Sequence, residues 1–193
     1  MQGLDDTVTM LIVGDNGTIL HYDENDWTRQ TLGWVAMESG TTNTLNAVWV
    51  HSNNDIFAVG DWGTILHYDS KQWTTMDSGT TRLLYGIFGT AKNNVYAVGA
   101  WGTILHYDGT QWTTMDSGIS DDLLSIWGSG PNNLYAVGEN DAIVHYDGTQ
   151  WTTLSINNIQ ETVSNVWGTS SVWGNSANDL FMITIGWEED AYE

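Results

Sequence analysis

Histidine recurs at His21, His67, His106 and His145, each inside one string. Gly-Thr-Ile-Leu-His-Tyr-Asp occurs at Gly17–Asp23, Gly63–Asp69 and Gly102–Asp108, and Asp141–Asp147 reads Asp-Ala-Ile-Val-His-Tyr-Asp. Four imidazoles are the raw material of a metal centre or of acid–base catalysis. Their spacing argues against both. Residues that hold the same place in successive repeats lie in different structural units and point alike, so they do not converge on one ion. Each His is expected to be hydrogen-bonded within its own unit. His51 lies outside the repeat, and nothing around it suggests catalysis.

Tryptophan offers a second chemistry. Trp62 and Trp101 sit in the turns Asp61-Trp62-Gly63 and Ala100-Trp101-Gly102, where the other copies carry Asn16 and Asn140. A core position does not exchange an indole for an amide so freely, so both indoles are expected at the surface. An exposed Trp beside Asp and Asn can stack on a sugar ring while its neighbours bond the hydroxyls. The candidate ligand-binding set is therefore Trp62, Trp101, Asp61, Asn16 and Asn140. The hydroxyl-rich loops Ser39–Thr44, Ser78–Arg82 and Ser117–Asp122 are expected on the same face. With Asp15, Asp61, Glu139 and Asp141 they would form a polar rim. The turn Asp23-Glu24-Asn25-Asp26 offers oxygens to Ca²⁺, but it lacks the full EF-hand loop pattern and reads more simply as a solvated acidic turn. No other metal and no cofactor is expected.

No phosphate loop, nucleophile elbow or His-Glu-x-x-His motif is present, and the chain reads as a non-enzyme. A carboxylate pair for glycoside hydrolysis is a distant alternative. Sialidase chemistry leans on an arginine cluster, and Arg29 and Arg82 are far apart in the sequence.

Bulk properties narrow the partners. The 193 residues carry a formal net charge of −20 with only four basic side chains, Arg29, Lys71, Arg82 and Lys92. Nucleic acid needs many phosphate-neutralising cations, and an anionic membrane surface needs a basic patch, so both are excluded as expected partners. With no Cys there is neither a disulfide framework nor a thiolate metal site. The first residues lack the basic and apolar regions of a signal peptide. The compartment stays open, with a secreted or extracellular site favoured.

The elements that must position these residues follow from the repeat. Trp34, Trp73, Trp112 and Trp151 recur every 39 residues, and aligning on them places seven extra residues in the first unit, within Glu24–Gly33. Each unit reads as four short strands. The first is Leu45–Val50, Leu84–Gly89 or Leu123–Gly128, with a further copy around Val163–Gly168. The second is Val8–Val13, Ile56–Val59, Val95–Val98, Leu134–Val137 or Leu180–Ile183. Thr64–Tyr68 exemplifies the third and Trp112–Met115 the fourth. Val, Ile, Tyr, Trp and Thr fill the strands, while Gly, Asn and Asp punctuate them. The large aromatics at repeated places, Trp34, Trp73, Trp112 and Trp151 in the fourth strand and Trp49, Phe88, Trp127 and Trp167 in the first, are expected to pack between units.

Four antiparallel strands every 40 residues or so predict an all-β fold, a β-propeller forming one domain over residues 1–193. Five blades closed by pairing of the terminal strands are favoured. Four blades, or blades completed by oligomerisation, are the alternatives.

The repeats resemble the broad WD40/YVTN/BNR-like family of bacterial propellers, in the style of secreted repeat proteins and photosystem-assembly-factor-like propellers. The string Gly-Thr-Ile-Leu-His-Tyr-Asp-Gly-x-x-Trp, seen at Gly102–Trp112, is similar to the sialidase-type Asp-box, with the spacing from Asp108 to Trp112 one residue short. The third strands do not end in Trp-Asp as WD40 strands do. Neither motif is a catalytic signature; both brace a turn. The expected function is non-catalytic binding, with a glycan ligand on the loop face as its most concrete form. The competing expectation is a protein–protein scaffold whose acidic surface docks a basic partner.

Overall fold

The computed structural model describes residues 10–23, 33–154, 169–176 and 179–184. They form an all-β propeller of five antiparallel sheets, consistent with five blades. The first sheet is β1 (Met10–Gly14), β2 (Thr18–Asp23) and β3 (Gly33–Ala36). Three complete blades follow. They are β4 (Leu45–Ser52), β5 (Asp55–Gly60), β6 (Ile65–Tyr68) and β7 (Trp73–Met76); then β8 (Leu84–Ala91), β9 (Asn94–Gly99), β10 (Thr103–Tyr107) and β11 (Trp112–Met115); then β12 (Leu123–Gly130), β13 (Asn133–Gly138), β14 (Ile143–Tyr146) and β15 (Trp151–Thr153). The last sheet is β16 (Thr169–Ser176) paired with β17 (Asp179–Thr184). Among the described residues no helix is long and apolar enough to cross a membrane.

The first strands β4, β8, β12 and β16 pack successively on one another and form the inner wall. Each carries the same irregularity against its partner, between Leu45 and Ala47, Leu84 and Gly86, Leu123 and Ser125, and Thr169 and Ser171. A bulge here bends the strand and re-aims the extra residue, Asn46 or Tyr85, toward the loop face.

Alternation along the second strand explains the core. Ile56 and Ala58 turn back toward the preceding blade, clustering with its Ile19 and with Leu66 and Trp73 of their own blade. Phe57 and Val59 turn forward onto Leu84, Val95, Leu105 and Trp112. Tyr96 and Val98 repeat the forward contact against Leu134, Val144 and Trp151. Each strand thus buries both faces, which is why Ile65 and Leu66 are adjacent and both fully buried. One such side chain contributes about 1.5–3 kcal/mol of burial.

The outer turn after the third strand is built by an aspartate. The carboxylate of Asp108 accepts the Thr110 and Gln111 backbone N–H groups at 2.8 and 2.9 Å, and Asp69 and Asp147 do the same in their blades. The Thr110 hydroxyl, then these N–H groups, hold the Asp108 carboxyl at about 2, and Asp147 sits at about 2 for the same reason.

One expectation is corrected at the C-terminal end. Val163–Gly168 and Trp167 lie outside the described residues. The strand in register is β16, in which Trp173 opposes Phe181 as Trp49 opposes Phe57. The chain repeats Val-Trp-Gly at Val166–Gly168 and Val172–Gly174, and the pairing of Trp173 with Phe181 selects the second copy. The expected closure by pairing of the terminal strands falls on residues 1–9 and 185–193, which lie outside the described residues.

Candidate functional site

The four residues Asn16, Trp62, Trp101 and Asn140 stand at the same point of four successive blades, in the turn between second and third strands. All have left-handed backbone, with φ of 53°, 58°, 59° and 51°. Asn tolerates that region well; a bulky side chain there is strained. The next residue is also left-handed and is Gly17, Gly63 or Gly102 in three blades. A Cβ on Gly63 or Gly102 would collide with the Thr80 or Ile119 carbonyl of the neighbouring loop. The turn is therefore tight, and the side chain before the glycine is thrown outward. Trp62 is 70% exposed and Trp101 68%.

The turns are tied to the loops that lead into the first strands. Asp61 N–H donates to the Thr44 carbonyl, Ala100 N–H to Leu83 and Glu139 N–H to Asp122, each at 2.9 Å. These loops are Ser39–Thr44, Ser78–Arg82 and Ser117–Asp122, so they do share a face with the candidate residues. Trp101 is clamped from both sides. Its N–H donates to the Asp122 carboxylate at 2.9 Å, and its carbonyl accepts from the Arg82 guanidinium at 3.2 Å. Asp122 also accepts the Tyr85 hydroxyl at 3.2 Å. Burial first, and then the Asp122 charge, raises the Tyr85 hydroxyl above its ordinary value, so it stays a donor.

The polar members are partly spent on structure. The Asp61 carboxylate accepts the Asn46 amide at 3.0 Å, and the Asn140 amide donates to Asp121 at 2.8 Å. The set is spread over four blades. One open cleft of about 610 Å³ is lined by Arg82, Trp101, Thr103, Asp116 and Ser117. A second of about 600 Å³ is lined by Asn16, Thr18, Glu38, Ser39 and Thr41. Each cleft holds one of the five candidates. Sequence reasoning missed the clamp of Tyr85, Arg82 and Asp122, because the bulge that aims Tyr85 leaves no mark in the residue pattern.

The histidines stay within their blades. Nε2 of His67 pairs with Asp55 at 2.6 Å, and His106 and His145 pair with Asn94 and Asn133 at 2.7 Å. The imidazole links the third strand to the turn between first and second. His51 stacks on Trp49 with ring centroids 5.7 Å apart. The Ca²⁺ turn Glu24–Asp26 lies outside the described residues. Among the described residues, no group of three or more His, Asp or Glu is placed to hold a metal ion.

No family model matches the chain, and no curated protein sequence matches it. Solved structures do. YCF48 from Cyanidioschyzon merolae superposes with a TM-score of 0.65 at 14% identity, over 92% of this chain and 64% of that one. A structure titled YCF48 bound to D1 peptide gives 0.52 at 15% identity, over 71% of this chain and 50% of that one. The nidogen/laminin complex gives 0.63 at 17% identity, over 92% and 71%. The chain thus spans a little under two thirds of the first of these structures, and the likeness is one of fold: a β-propeller built from repeats.

Proposed function

We propose that the chain is a non-catalytic, protein-binding propeller whose loop face, centred on Trp62 and Trp101, docks a basic segment of a partner. The observation that carries this is the placement of two large indoles, exposed and in costly left-handed backbone, where the fold itself prefers Asn. Exposed aromatics of this kind act as interface anchors, and an indole face also attracts Lys and Arg. Asp61 lies in the Trp62 turn, Asp121 and Asp122 bond the Trp101 turn, and the net charge of −20 draws cationic partners. The titles of two neighbours, which name a bound peptide and a protein complex, support the protein-binding class.

Glycan stacking on the same indoles is the second reading. The spread of its polar partners over four blades favours it less, since a sugar ring needs them together. The experiment is a peptide array of Lys- and Arg-rich sequences run beside a glycan array. The expected result is binding to basic peptides that weakens with salt and falls at least tenfold in a Trp62→Asn/Trp101→Asn variant of unchanged charge. Peptide binding that ignores this variant overturns the site, and glycan binding without peptide binding overturns the partner class.

A further inference from the structure

The loop that leads into each first strand sends one side chain across to the next blade. Asn43, Arg82 and Asp121 hold that place in successive repeats. The Asn43 amide donates to the Thr64 hydroxyl at 2.8 Å, and the Arg82 guanidinium reaches the equivalent Thr103 hydroxyl at 3.3 Å. In the third copy the roles reverse, and Asp121 accepts the Asn140 amide. An amide therefore suffices for the tie between blades. The guanidinium adds a charge and donors that the tie does not use.

Those surplus donors stand beside a cleft. Arg82 bonds the Trp101 carbonyl and the Thr103 hydroxyl, and both bonds come from Nη1. The edge formed by Nε and Nη2 is not spent on them, and that edge takes a carboxylate by two parallel bonds. The chain has 24 acidic residues, yet Arg82 makes no ion pair with a carboxylate among the described residues. Arg82 is exposed and lines the cleft of about 610 Å³ beside Trp101, Thr103 and Ser117. Asp116, on the same cleft, accepts the Gly118 N–H at 2.9 Å.

We infer that Arg82 and the cleft beside it bind a carboxylate of the docked segment, an acidic side chain or a chain terminus within an otherwise basic sequence. This rests on the reading of the loop face as peptide-binding. Trp101 then stands between opposite charges, with Asp122 bonded at its N–H and Arg82 at its carbonyl. A segment laid across the indole, cation toward Asp122 and carboxylate on Arg82, has one direction. The Trp62 turn carries Asn43 in place of Arg82 and Leu83 in place of Asp122, so it holds a segment without orienting it.

The test uses the basic peptide that the array selects, with its C-terminus free or amidated and each acidic residue kept or replaced by its amide. Arg82→Asn copies Asn43 and keeps the tie between blades, and far-ultraviolet circular dichroism is the fold control. Removing the carboxylate that Arg82 reads is expected to weaken binding about fivefold in wild type and to change nothing in Arg82→Asn. Loss on amidation identifies a terminus, and loss on side-chain replacement identifies an acidic residue. A loosened Trp101 would weaken every peptide form alike, so only the difference between forms reports the site. Arg29 and Arg82 are the only arginines, so Arg82→Asn assigns the Arg82 Nε–H signal. Acetate is expected to shift that signal relative to chloride at equal ionic strength. No effect of any carboxylate on wild-type binding, an equal effect in Arg82→Asn, or no shift with acetate would each overturn the proposal. A shift with acetate where basic peptides fail to bind would keep this site and overturn the proposed partner. Peptide binding lost in Trp62→Asn/Trp101→Asn but indifferent to every carboxylate would keep that partner and overturn this site.

Discussion

Trp62 and Trp101 carry two costs at once, an exposed indole and a left-handed backbone, and the fold gains nothing evident from either. Asn16 and Asn140 make the same left-handed turn with a residue type that tolerates it and no exposed indole. Trp62→Asn and Trp101→Asn are therefore predicted to hold or raise the melting temperature, since relief of the backbone is worth up to about 1 kcal/mol each. A fall of more than about 4 °C for either would make it a structural residue. The histidines behave differently. Burial lowers the His106 pKa below 6.5, against the opposing pull of Asp108, and its partner Asn94 brings no charge. A lowered folded value means stability that is present above 6.5 and lost as pH falls through it. Asn94→Asp places a carboxylate where Asp55 faces His67, and should move the His106 midpoint upward and lessen the acid loss. Ring chemical shifts followed against pH would read this, and an unmoved midpoint would refute it.

At the scale of the element, the turn between second and third strands decides where the site can be. Gly102 is left-handed at φ +65°, and a Cβ there meets the Ile119 carbonyl and the Ser117 hydroxyl. Gly102→Ala should cost more than about 1 kcal/mol by denaturant unfolding. The fourth copy tests the same rule in reverse. Asp141 holds the glycine place at φ 58°, with a buried carboxylate oxygen that has no partner. Asp141→Gly is expected to stabilise by about 1 kcal/mol, and destabilisation would mean that this carboxylate supports the turn. Much of this was legible beforehand. Repeat spacing located the strands, and the exchange of Trp62 and Trp101 for Asn16 and Asn140 marked the exposed turn. The clamp from Arg82, Asp122 and Tyr85 was not legible, because it depends on a bulge and on contacts between blades. The first-strand place was given to Trp167 because two Val-Trp-Gly strings compete, and only the pairing of Trp173 with Phe181 separates them.

At the scale of the whole molecule, a residue's worth depends on where its blade stands in the array. Trp73 and Trp34 hold the same place, yet one is buried between blades and the other faces outward. Trp73→Ala should cost about 3–5 kcal/mol, as for other core tryptophans, and Trp34→Ala under about 1 kcal/mol in dilute monomer. Equal losses in chemical denaturation would contradict this difference in burial. The same array separates carpentry from function: what all blades share holds the sheets together, and what only two of them carry is free to bind. The most direct measurement of that claim is fluorine NMR of the chain labelled with 5-fluorotryptophan, with signals assigned through Trp62→Asn, Trp101→Asn and single substitutions of the others. On titration with a basic peptide that the array selects, the Trp62 and Trp101 signals should move while those of the buried Trp73, Trp112 and Trp151 stay. Movement elsewhere, with the Trp62 and Trp101 signals unchanged, would contradict the account.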